Sequence, residues 1–264
     1  MAAGSESLWL GEGWIKKGRW GVAFLEVTDL VKDFGGVVAN NHISFQIDQG
    51  EIIGLIGPNG AGKTTLFNCI VGYHKPDSGE VIFKGKEITG FKPFMTNQEG
   101  IGRTFQIMKV TTGMTVLENV MVGAFCRTDD SHLAKVEAAA ILGFLGLDSV
   151  KSYHLNELPI ASQKKIGLAR AIATQPKLLM LDEVASGLNP KETEEMVDLL
   201  KKIHQEKKIT LFLIEHVMEV VMPISQRVIV LDGGEKIAEG LPKEIVKNER
   251  VIKAYLGEKY AKGL

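Results

Sequence analysis

One stretch, Gly57-Pro58-Asn59-Gly60-Ala61-Gly62-Lys63-Thr64, constrains this chain more than any other. It fits the pattern G-x-x-x-x-G-K-[ST] in full. It follows Ile52-Ile53-Gly54-Leu55-Ile56, an apolar run that reads as a buried central strand. The glycines let backbone N–H groups turn inward around phosphate oxygens. The helix expected from the loop to about Val71 adds the positive end of its dipole. Gly57 to Thr65 is therefore the candidate phosphate cradle. Lys63 is expected to reach the β- and γ-phosphates of a nucleotide, and the Thr64 hydroxyl to ligate Mg²⁺.

Strands and helices alternate after residue 24. Phe24 to Val27, His42 to Ile47 and Val81 to Phe83 read as strands, with a turn at Pro76-Asp77-Ser78-Gly79. Between residues 107 and 157 the β-branched runs give way to helix-like sequence, including the alanine-rich Leu133 to Leu145, and we expect an inserted helical subdomain there. Leu178 to Leu181 returns as a buried strand. Asn189-Pro190-Lys191-Glu192 opens a helix with a cap, a first-turn proline and a capping box. Met196, Leu199, Leu200 and Ile203 form one apolar face of that helix. Thr210 to Ile214 and Val228 to Leu231 are further strands.

Two of these strands end in chemistry. The first delivers Asp182 and Glu183 to its carboxyl end, where α/β sheets bind ligands. Asp182 suits Mg²⁺, directly or through water. Glu183 suits the orientation of an attacking water. The second, Leu211-Phe212-Leu213-Ile214-Glu215-His216, ends on a histidine placed to sense a γ-phosphate.

The net charge of -1 argues against a broad nucleic-acid surface. Cys69 and Cys126 are far apart and lack metal spacing, which fits a reducing cytosol. No apolar run reaches the roughly 20 residues that cross a bilayer, and residues 1–23 lack the apolar segment of a signal peptide. That leader holds Trp9, Trp14 and Trp20 among Lys16, Lys17 and Arg19. Gly11, Gly13, Gly18 and Gly21 weaken any surface helix, so we expect a disordered leader.

From residue 24 on, the chain resembles the ATP-binding subunits of ABC transporters. The resemblance implies an α/β fold with a P-loop NTPase core, RecA-like, joining a parallel sheet to an antiparallel β subdomain and carrying an α-helical insert. It implies ATP as substrate with Mg²⁺ as cofactor. Gly102-Arg103-Thr104-Phe105-Gln106 supplies the family's glutamine, Gln106, for Mg²⁺ and for coupling to the membrane subunit. Phe34 matches the aromatic residue that stacks on adenine. Ser186, Gly187, Leu188 and Asn189 occupy the dimer-contact loop. Phe34-Gly35-Gly36-Val37-Val38-Ala39 and the ending Tyr255-Leu256-Gly257-Glu258 look like the ATPases of branched-chain amino acid importers. Those systems combine two different ATPases, two permeases and an external solute-binding protein, with the ATPases peripheral on the cytoplasmic face of the inner membrane.

One motif departs from the family. The signature usually read as L-S-G-G-Q is here Leu158, Pro159, Ile160, Ala161 and Ser162. Pro159 has no hydroxyl and no backbone N–H, and Ala161 takes positive φ less cheaply than glycine. We expect Ser162 to cap the next helix, and Lys164 and Lys165 to offer charge near phosphate. A weakened half-site of this kind suits a heterodimer. Val184 also replaces a proline usual after the glutamate, with little consequence expected. Urea importers and the lipopolysaccharide-export ATPase have similar endings. A soluble ABC ATPase on ribosomes or DNA would bring a second cassette or coiled coils, and a P-loop GTPase would bring an Asn-Lys-x-Asp element; neither feature is in the sequence.

Overall fold

The structure is a computed structural model that describes residues 7–9, 14–18, 21–104 and 113–256. Gln106, Trp20 and the Gly257-Glu258 ending lie outside these residues. Within the segment expected to be disordered, three short backbone strands pair antiparallel: β1 (Ser7–Trp9), β2 (Trp14–Gly18) and β3 (Gly21–Val22).

The chain then runs through β4 (Leu25–Asp33), β5 (Val38–Ile47), β6 (Ile52–Ile56), α1 (Lys63–Val71), β7 (Ser78–Phe83) and β8 (Lys86–Glu87). Next come α2 (Pro93–Glu99), β9 (Ile101–Arg103), α3 (Val116–Ala124), α4 (Ser131–Phe144) and α5 (Ile160–Ala173). The last part comprises β10 (Leu178–Asp182), α6 (Pro190–Lys207), β11 (Thr210–Ile214), α7 (Met218–Ile224), β12 (Arg227–Asp232), β13 (Glu235–Gly240), α8 (Pro242–Ile245) and α9 (Glu249–Leu256).

A six-stranded sheet has the order β13-β12-β6-β11-β10-β9. All its neighbours are parallel except the edge strand β13. A four-stranded antiparallel sheet has the order β5-β4-β7-β8. The near-continuous apolar runs of β6, β10 and β11 follow from burial on both faces of the parallel sheet.

Period-two alternation divides these strands between two cores. Ile53, Leu55, Leu178, Met180, Phe212 and Ile214 point to one side, where they meet α1 and the antiparallel sheet through Phe67, Leu25 and Ile43. Ile52, Ile56, Leu179, Leu181, Leu211 and Leu213 point to the other, against the buried faces of α3 to α7. Each such side chain contributes about 1.5–3 kcal/mol on full burial, so register is strongly specified.

That register places the functional edge. Asp182 pairs with Ile214, and Ile214 with Leu55. The residues that follow β6, β10 and β11 therefore emerge side by side. The helix caps obey the same local logic. Gly72, in the left-handed region at φ 89°, ends α1 by returning its N–H to the Asn68 carbonyl. Asn189 and Glu192 exchange capping bonds at the start of α6, each at 3.0 Å, with Pro190 in the first turn.

Candidate active site

The phosphate loop leaves β6 at Gly57. That residue has φ 152°, and a Cβ there would lie 2.1 Å from the Leu231 carbonyl oxygen. Gly62 has φ 93°, and a Cβ there would lie 2.1 Å from the Ala39 carbonyl oxygen. Both positions need glycine because backbone, not a movable side chain, fills the space. Gly62 opens α1, and no side chain caps that helix end, so its first amides face the loop unclaimed by a cap.

The Lys63 ammonium lies inside this loop. It donates to the Gly57 carbonyl at 2.7 Å and the Pro58 carbonyl at 2.9 Å. Burial pushes its pKa down, and the carboxylates of Glu183 and Asp182 oppose that shift. Thr64 is exposed beside it. A glycine-lined turn, a helix N-terminus, a confined ammonium and an accessible hydroxyl fit a nucleotide triphosphate with its Mg²⁺.

Asp182 ends β10 and is 4% exposed. Its Oδ2 accepts from Arg103 Nη2 at 2.7 Å. Arg103 also donates to Asn68 Oδ1 of α1. The Asp182 amide donates to Thr104 Oγ1 at 3.1 Å. Arg103 is thus the buried countercharge of the carboxylate expected to serve Mg²⁺. Replacing it with methionine leaves Asp182 buried beside an apolar side chain. Arg103→Met is expected to lose about 3–5 kcal/mol of stability, read as a lower urea midpoint at unchanged slope.

Glu183 takes φ 49°, the left-handed region, which costs a non-glycine residue on the order of 1–3 kcal/mol. The turn swings it out of the sheet. Its amide donates to the Ile214 carbonyl at 3.0 Å, and its own carbonyl accepts from Lys164 Nζ at 2.9 Å. Its Oε1 lies 3.6 Å from Nδ1 of His216, which stands half-exposed after β11. The structure therefore brings Glu183 and His216 together and sets them beside the phosphate loop.

Phe34 lies just past the end of β4 and is 47% exposed. It meets His74 edge-on with ring centroids 5.2 Å apart, and Lys32 Nζ lies 5.3 Å from its ring centre. Ser186 and Leu188 close the turn after Glu183, their amides donating to the Glu183 carbonyl at 3.3 Å and the Ala185 carbonyl at 3.2 Å. Gly187 has φ 77°, and Asn189 caps α6.

One expectation at the signature needs correction. Ser162 does not cap α5. That helix begins at Ile160 with Pro159 at the cap position, φ -57°, and no side-chain cap bond. Pro159 is extended at the cap position, with ψ 154°, so the helix is entered three residues before a Ser162 cap would place it and Ser162 falls in the first turn. Lys164 and Lys165 both make contacts within this chain. Lys164 is held on the Glu183 carbonyl, and Lys165 pairs with Glu195 of α6 at 3.2 Å. Leu158, Pro159, Ile160 and Ala161 lie at the surface or half-buried.

Arg103, Thr104 and Glu215 carried no role in the sequence reading. A signal existed for each: a charged or hydroxyl residue placed directly against an apolar strand has to find a partner. Which partner it finds depends on strand order, and local pattern does not contain that.

Comparisons with known proteins bear on the same features. Residues 40–186 match the family described as ABC transporter, and residues 235–261 match that described as branched-chain amino acid ATP-binding cassette transporter. The high-affinity branched-chain amino acid transport ATP-binding protein LivG of Salmonella typhimurium is 39% identical over 251 residues, covering 89% of this chain and 98% of that protein. The corresponding protein BraF of Pseudomonas aeruginosa is 37% identical over 249 residues, with the same shares covered. Among solved structures, a nucleotide-free ATP-binding cassette from an ABC transporter superposes with a TM-score of 0.82 at 30% identity, covering 90% of this chain and 100% of that one. A dimeric ABC cassette in a post-hydrolysis state bound to ADP and Pi superposes with a TM-score of 0.75 at 25% identity, covering 83% and 98%. Sequence and fold agree: the chain belongs to the ABC transporter ATPases, among the branched-chain amino acid transport ATP-binding proteins.

Proposed function

We propose that this chain hydrolyses ATP to drive import of branched-chain amino acids through membrane permease partners, working beside a second ATPase subunit. The observation that carries the chemical part is the meeting of the phosphate loop, Asp182, Glu183 and His216 at one edge of the parallel sheet.

In this reading the amides after Gly57 and at the start of α1 hold the phosphate oxygens. Lys63 exchanges its two carbonyl partners for the β- and γ-phosphates. Phe34 stacks on the adenine. Thr64, Asp182 and Gln106 would hold Mg²⁺, which would supply positive charge to the phosphates. Glu183 accepts a proton from the attacking water while the water oxygen bonds to the γ-phosphorus and ADP leaves. His216 contacts the γ-phosphate and keeps Glu183 in place.

Coupling needs a surface for the permease. A cleft of about 270 Å³ opens between α2, β9, α3 and α5, lined in part by Tyr73, Ile101, Val122 and Cys126. Phe94 and Phe125 stand exposed on the adjoining helix α2 and just past α3. Thr104 lines this cleft and lies two residues before Gln106 in the sequence. Among the described residues no helix is long and apolar enough to cross a membrane, which leaves membrane work to partners. The degenerate signature, Leu158 to Ser162, supports pairing with a different ATPase that supplies the stronger composite site. The Ser186 to Asn189 loop would line the contact, and the complex would lie on the cytoplasmic face.

Affinity purification from detergent-solubilised native membranes tests this. A second ATPase and two polytopic permeases should come down, and leucine with its binding protein should stimulate turnover. A homodimer with two fast sites would overturn the heterodimer. Recovery with ribosomes or DNA would overturn transport.

A further inference from the structure

We infer that Glu215 is a positioning residue for ATP hydrolysis: its buried carboxyl ties the turn that follows Glu183 to the strand end that carries His216. The inference rests on the reading of Glu183 as the base.

Glu215 is 0% exposed, at the end of the fully apolar strand β11. Its Oε1 accepts the Ala185 amide at 3.0 Å. Among the described residues its buried Oε2 has no hydrogen-bond partner. A buried carboxyl with one unsatisfied oxygen is costly to the fold, and an apolar residue would continue the strand at lower cost. Stability alone therefore gives no reason for a glutamate here.

The geometry supplies a reason. Glu183 sits in a left-handed turn that has to be held from several sides. Its amide is fixed to Ile214 and its carbonyl to Lys164. These bonds reach only Glu183 itself. Two residues on, the Ala185 amide is the next point of attachment, and Glu215 is its acceptor. Because Glu215 immediately precedes His216, one side chain links the loop running to Ser186 and Asn189 with the backbone that presents the histidine. The 3.6 Å separation of Glu183 and His216 depends on both.

The ionisable groups that bear on Glu215 are Lys164 from α5, Glu183 from the turn and His216 on its own strand end. Burial pushes its carboxyl pKa up and Glu183 adds to that, while the hydrogen bond from the Ala185 amide, His216 and Lys164 oppose it. Toward the Ala185 amide the carboxyl acts as a hydrogen-bond acceptor. A glutamine supplies the same acceptor.

The test is steady-state ATPase kinetics and thermal melting of the full chain in its assembled complex. Glu215→Met keeps side-chain length and removes the acceptor. It should lower kcat at least tenfold while KM for ATP moves less than threefold, because the phosphate loop is untouched. Glu215→Gln should rescue turnover to within about twofold of the parent. Glu215→Asp, shorter by one methylene, should fall between them, and it decides the matter if the methionine variant does not fold. Parent-like kcat in the folded Met or Asp variant would overturn the inference. So would a tenfold loss in the glutamine variant, or a change confined to KM and melting temperature. Glu183→Gln run alongside separates the two claims. Normal turnover there sinks the base assignment, whereas slow turnover there with unaffected Glu215 variants sinks only the positioning role.

Discussion

Glu183→Gln is expected to bind ATP within about threefold of the parent affinity and to hydrolyse it at least ~100-fold more slowly, the range general-base catalysis contributes. The amide keeps the side chain's size, so the turn at φ 49° and its bonds to Ile214 and Lys164 are undisturbed. It cannot accept a proton from water. It also removes a negative charge that faces the incoming phosphates, which is why affinity should hold or improve. Equilibrium binding of a fluorescent nucleotide and single-turnover hydrolysis read the two effects apart. The trapped ATP state should show a stable dimer by mass in solution. Parent-like turnover in this variant would show that another group activates the water.

Lys63→Met should have the other large effect. The buried Lys63 ammonium sits within a loop of carbonyls and backbone amides, already donating to Gly57 and Pro58. On binding, the two carbonyl bonds give way to bonds with a charged phosphate, and the exchange is worth about 1.5–3 kcal/mol. Losing them should weaken ATP binding by roughly tenfold to a hundredfold and lower turnover by about a thousandfold or more, since charge on the transferring group grows in the transition state. Methionine is apolar and of similar length, so the fold without nucleotide should melt near the parent temperature. The stabilisation that saturating ATP gives the parent, about 2.7 kcal/mol at a hundred times Kd, should shrink accordingly. A variant that keeps the full ATP-induced shift would refute the assignment of Lys63 to the phosphates.

These experiments bear on parts that differed in how plainly the sequence announced them. The strands β6, β10 and β11 and the helices α1 and α6 were legible because each is written in a local code. Continuous apolar runs mark doubly buried strands. The Asn189-Pro190-x-Glu192 cap marks where α6 starts. Less was legible at element ends governed by tertiary context. Strand β4 runs on to Asp33, well past Val27, because its partners β5 and β7 continue alongside it. Helix α5 starts at Ile160 rather than at a serine cap, because Pro159 had already set the backbone. The strands at residues 7–22 gave no sequence signal strong enough to outweigh their glycines.

What the sequence determined by itself was the chemistry available: a glycine loop whose backbone suits phosphate oxygens, an acidic pair delivered by a strand, and a histidine delivered by the next. Each follows from the short-range geometry of glycine, proline and the two-residue strand period. What only the tertiary structure decided was pairing across distance. Arg103 neutralises Asp182 from a strand 79 residues earlier, and Glu215 anchors the Ala185 amide 30 residues away. Lys164 donates to the Glu183 carbonyl 19 residues away. The reason is physical. Buried charge and buried backbone must be satisfied wherever the sheet order β6-β11-β10-β9 happens to bring them, and that order is set by the packing of two hydrophobic cores, not by any residue's neighbours in sequence.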